Sequence, residues 1–116
     1  MAAPRREDAQ LLIQLAQLST ALGMDEAMPV IFGEDFDPQT ADVMDRPVRT
    51  MLGFGELIGT LVKHDLISSE LVHDWLWLEG VWARVGPAAL LQREKLGEPR
   101  LYENFEAMVQ AGPPGG

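Results

Sequence analysis

The sequence predicts an all-α protein, and three observations carry that expectation. Leu71, Trp75, Leu78, Trp82 and Val85 recur at steps of three and four residues, a single apolar stripe on a helical wheel. No segment keeps the two-residue alternation of a half-buried strand, and no internal repeat is evident. Helix punctuation stands between the periodic stretches, at Gly23, Ser68, Gly86-Pro87 and Gly97-Pro99. The expected architecture is a compact bundle of four to five helices, self-contained or completed by dimerisation.

In chain order, residues 1–6 are expected to form a flexible arm, 7–110 a single helical domain and 111–116 a flexible tail. From Glu7 the seam Leu11, Leu15, Leu18, Leu22 runs to Gly23, which occupies the usual place of a left-handed cap. It covers about two heptads, fewer than a coiled coil needs, so it is expected to pack within the domain. Met24 to Asp37, interrupted by Pro29, reads as a loop that tucks Ile31, Phe32 and Phe36 into the core and leaves its acids solvated. Asp37-Pro38 reads as a helix start. Pro47 then either begins a new helix behind Asp45 or kinks an existing one.

From Pro47 to His64 apolar residues cover nearly every side, and Arg49, Glu56 and Lys63 leave only a narrow polar strip. Such a helix is expected to be central, or shared with a second copy. Gly55 and Gly59 let another helix approach, at roughly 1 kcal/mol each in helix propensity. The next helix is expected to start at Ser68 and to stop or bend at Gly86-Pro87. A further segment then ends at Gly97, and Pro99 opens the last helix with Leu101, Tyr102, Phe105, Met108 and Val109 on its apolar side.

Bulk properties exclude several functions. A chain of 116 residues fits one domain that buries roughly two thirds of its unfolded surface. Without cysteine there are no disulfides, zinc-thiolate sites or thiol nucleophiles, which suits the cytoplasm. The net charge is −9, and Asp25, Glu26, Glu34, Asp35, Asp37, Asp42 and Asp45 have no base among them. That field repels nucleic acid and anionic membranes. No apolar run approaches the roughly 20 residues of a membrane span, and MAAPRREDAQ lacks a signal-peptide core.

On a continuous 68–85 helix, Glu70, His73, Gly80 and Arg84 share the polar side, and Trp77 falls among them. A large aromatic there either packs under a neighbouring element or marks a partner surface, so Trp77, His73, Arg84, Gly55 and Gly59 are the candidate interaction residues. Glu70-x-x-His73 has the spacing by which di-iron bundles take two ligands from one helix, but the second pair and two further glutamates are missing. Glu70 and His73 therefore make only a poor metal candidate. Glu79 is expected to pair with an arginine such as Arg84 or Arg93, or to be partly solvated, and His64 to serve as a favourable helix-terminal charge or cap. The acidic loop fails as an EF-hand, with Thr40 at the glycine position and Arg46 at the glutamate position. No phosphate loop, nucleophile elbow or dinucleotide fingerprint is present.

The run Trp82 to Pro87, then Arg93-Glu94, then Pro99-Arg100-Leu101-Tyr102-Glu103-Asn104-Phe105-Glu106 resembles the C-terminal pattern of bacterial proteins grouped as domain of unknown function 4760. That pattern is a tryptophan helix, an Arg-Glu segment and a closing Tyr-x-x-Phe-Glu helix, and the likeness covers about the last 65 residues. Many such proteins carry an N-terminal membrane helix, which has no counterpart here. The resemblance implies a helical module and assigns no site. The expected function is a non-catalytic protein-interaction or oligomerisation module without cofactor, acting as a homo-oligomer or on a protein partner. The alternative is a small-molecule or metal-binding protein with a pocket between the 47–64 and 68–85 helices.

Overall fold

The computed structural model describes residues 3–113. Six helices run through them: α1 (Arg6–Ala21), α2 (Met24–Ile31), α3 (Arg46–Lys63), α4 (Ser69–Trp75), α5 (Leu78–Leu96) and α6 (Glu103–Ala111). No strand occurs among the described residues, as the periodicity required. α3 is the central element and packs against α2, α5 and α6. Its Val48, Met51, Leu52, Phe54 and Ile58 are all buried, each worth roughly 1.5–3 kcal/mol relative to exposure.

Several boundaries differ from expectation. Residues 1 and 2 of the proposed arm, and 114–116 of the tail, lie outside the described residues. Arg5 caps α1: its backbone N–H donates to Asp8 Oδ2 at 2.7 Å, and its guanidinium reaches the Asp65 carbonyl. Ala111 still belongs to α6. The leucine seam is only half used, since Leu15 is buried while Leu18 and Leu22 are exposed. Met24–Ile31 is helical rather than a loop, and Gly23 at φ 86° turns the chain between α1 and α2. Pro29 forfeits one hydrogen bond, to the Asp25 carbonyl, and burial of Met24, Ala27 and Ile31 outweighs it.

Asp37-Pro38 opens a single turn and no helix. Asp37 Oδ1 accepts from the Gln39 N–H and Asp42 Oδ1 from the Met44 N–H, local bonds that compete with helical ones. A helix does start behind Asp45, with Pro47 in its first turn.

The largest correction concerns the tryptophan helix. Its break falls at Leu76–Trp77 instead of Gly86-Pro87: Leu76 is extended (φ −122°, ψ 139°), and Trp77 stands outside α5 as its N-cap. Gly80 accommodates the break: the Trp77 ring lies back along the first turn of α5, in the space where a side chain at Gly80 would stand. α5 then continues through Pro87, with Val85, Ala88 and Ala89 buried on both sides of it.

The last helix begins at Glu103, four residues after Pro99. Tyr102 takes a left-handed conformation (φ 57°) that turns the chain into α6. A carboxylate from α3 replaces a local cap: Glu56 Oε1 accepts the N–H groups of Asn104 (3.0 Å) and Phe105 (2.9 Å). Glu56 is therefore a tertiary cap and not part of a solvated strip. Gly59 lies directly under the Asn104 carbonyl and Gly55 under the Phe105 ring, so both glycines serve contact with α6 of the same chain.

Candidate functional site

The joint between α4 and α5 gathers three of the five candidate interaction residues. Trp77 stacks on Phe32, just beyond α2, with ring centroids 5.9 Å apart and planes 12° from parallel. Covered on one side by Phe32 and lying over Gly80, the ring is still 70 % exposed, and Phe32 is 39 % exposed. One turn after Gly80, Arg84 reaches the segment that follows α2. Its Nε donates to the Ile31 carbonyl at 2.6 Å, and its Nη2 to those of Gly33 (3.2 Å) and Phe36 (3.1 Å). The guanidinium carbon also lies 5.2 Å from the centre of the Phe36 ring. Arg84 is thus the peg that holds the 31–36 segment in place. Beside it opens a cleft of ≈ 580 Å³, lined by Phe32, Glu34, Phe36, Trp77, Glu79 and Arg84 among others.

His73 sits beneath this joint, its side chain 4 % exposed. Nδ1 is 2.9 Å from the Ser69 carbonyl, which can only accept, so Nδ1 carries the proton. Nε2 then faces Glu79 Oε1 at 3.8 Å, and neither atom has a hydrogen-bond partner. The contact spans the break, from the last turn of α4 to the first turn of α5. Of the two expectations for Glu79, pairing with Arg84 or Arg93 does not occur, and partial solvation does, its side chain being 42 % exposed. Glu70 is exposed, and among the described residues no three acidic or histidine side chains converge as a metal site. The E-x-x-H spacing does not form a site: the ring nitrogens of His73 lie against Ser69 and Glu79, and Glu70 is exposed. Ser69 Oγ is also close to Nδ1, at 3.2 Å. A ring protonated at Nδ1 has no lone pair there to take the serine proton, so the Ser69–His73–Glu79 row lacks the acid–base logic of a triad.

The space between α3 and the α4–α5 joint is apolar and small, ≈ 40 Å³, lined by Met51, Phe54, Ile58, Leu76 and Val81 among others. Ligand pockets usually begin at roughly 300 Å³.

A family model described as "Domain of unknown function (DUF4760)" matches residues 3–111. The chain belongs to this family. The match extends the likeness from the last 65 residues to nearly the whole described chain, α1 and α2 included. No curated protein and no solved structure matches at a significant level. The DUF4760-like motif residues near the C-terminus build the α3–α5–α6 seam. Trp82 meets Phe105 edge-on at 5.0 Å, and Arg93 binds the Leu101 carbonyl (2.7 Å) and Glu106 (2.9 Å). Of the residues lining the Trp77 cleft, Ala83 and Arg84 belong to that pattern, whereas Phe32, Glu34, Phe36, Trp77 and Glu79 do not. Glu34, Phe32 and Phe36 were not legible as members of a site, because they meet Trp77 and Arg84 only through the tertiary fold.

Proposed function

We propose that this chain is a small, acidic, helical protein-interaction module of the cytoplasm, working without catalysis, that docks a segment of a partner polypeptide on the Phe32–Trp77 face. The observation that carries the reading is Trp77, 70 % exposed although its ring stacks on Phe32 and lies over Gly80. An aromatic already ordered before binding loses little rotamer freedom when a partner covers it, so its apolar surface goes largely into affinity. The cleft beside it supplies a concave wall for the partner's neighbouring side chains.

Selection of a random-peptide display library on the wild-type chain, with subtraction on Trp77→Ala, tests the reading. The variant is expected to retain native helicity by circular dichroism, and peptides that bind only the wild type are expected to be recovered. If no recovered peptide depends on Trp77, the docking face is lost. A native mass spectrum identifies one competing occupant: a dimer that Trp77→Ala dissolves makes a second copy of the chain the partner.

A further inference from the structure

We infer that the segment taken by this face is basic, presenting a lysine or arginine beside the exposed Trp77 and to the carboxylates of Glu34 and Glu79; the inference rests on the docking reading above. The cleft walls carry two acids and one base. Arg84 is turned toward the segment beneath: its Nε and Nη2 donate to three carbonyls and its guanidinium lies against Phe36, so its single positive charge leaves the two carboxylates in excess. Glu79 turns Oε1 inward to His73 while its side chain stays 42 % exposed, and Glu34 is exposed and in no ion pair among the described residues. Asp35 and Asp37 follow on the same segment, and from Asp25 to Asp45 there is no base to offset them.

Two carboxylates in one cleft attract a cation through charge. Phe32 and Trp77 add an apolar shelf for the methylene stem of the same side chain. A second copy of the chain fits the surface poorly. Its own net charge is −9, and symmetric pairing over Trp77 would set one acidic rim against the other.

The test uses the Trp77-dependent peptides from the display selection, synthesised and titrated by calorimetry against the full chain. They are expected to be enriched in Lys and Arg over the starting library and to bind more weakly as NaCl rises. Glu34→Lys, at an exposed position outside the packing, is expected to weaken them roughly fivefold, in line with reversal of an exposed charge pair. Trp77-dependent peptides that are neutral or acidic, or whose affinity ignores both salt and Glu34→Lys, overturn the basic-partner inference while leaving the docking face standing. Absence of any Trp77-dependent peptide removes the docking reading itself.

Discussion

Two tryptophans of this chain lie against glycines, Trp77 on Gly80 and Trp82 on Gly86, and the surroundings of the two rings differ. Trp82 is half-buried against Phe105 from α6, and the seam beside it is completed by Glu56, Gly55, Gly59 and Arg93. Trp77, with Phe32 stacked on it and Gly80 beneath, stays 70 % exposed. The same local device, a large ring seated where a glycine has no side chain, therefore serves packing in one place and leaves a prepared surface in the other. Whether a third element arrives to cover the ring decides which. α6 arrives at Trp82 because Glu56 and the two glycines of α3 receive its N-terminus; nothing comparable receives an element at Trp77.

The contrast breaks most sharply under truncation. Phe105→Ala is expected to cost about 3–5 kcal/mol, since a buried ring leaves a cavity between Gly55 and Trp82. Trp77→Ala is expected to cost under about 1 kcal/mol, as for a mostly exposed side chain. Urea unfolding of the two variants measures both, and comparable losses would mean that Trp77 belongs to the core energetically.

A smaller effect tests how the closed seam is held. Gly59→Ala places a Cβ against the Asn104 backbone, which has no flexible side-chain end to move aside. The substitution is expected to destabilise by about 1–3 kcal/mol, despite a helix-propensity gain of roughly 1 kcal/mol. A thermal midpoint at or above wild type would show that α6 shifts freely and that the seam is not tightly seated.

The smallest effect is a pH dependence at the same seam. Burial holds the Tyr102 hydroxyl above its ordinary value of 10.0, with Arg49 opposing and Glu56 reinforcing the shift. The folded state then keeps this proton after the unfolded chain has lost it. The associated stability is fully present below the unfolded value and is lost as pH rises through the folded one. Between about pH 9 and about pH 11, wild type is expected to lose more stability than Tyr102→Phe. Equal slopes in urea titrations would remove Tyr102 as the cause.

Much of the fold was legible where a residue's role depends on near neighbours. Gly23 and Gly97 end helices in left-handed conformations, Ser68 caps α4, and Asp45-Pro47 starts α3. The failures share one physical origin. Pro29 and Pro87 stand inside helices because burial on either side outweighs one missing hydrogen bond. Pro99 does not start α6, and the cap it lacks comes from Glu56. Trp77 stood out as an exposed aromatic on the polar side, but its seat at a break between two helices did not. Reading 68–85 as one helix also put His73 on the solvent side, whereas the break turns it inward to face Glu79.

By itself the sequence determined an all-helical chain, its acidic character and a central apolar α3, because these follow from residue type, spacing and local capping. The tertiary structure alone decided what the polar residues among those helices are for. Glu56 meets Asn104 and Phe105 across 48 and 49 positions, and Arg84 meets Ile31, Gly33 and Phe36 across 53, 51 and 48. A periodic pattern records which side of a helix faces inward, whereas a buried charge goes to whichever distant backbone groups lack a partner, and the packed chain supplies those.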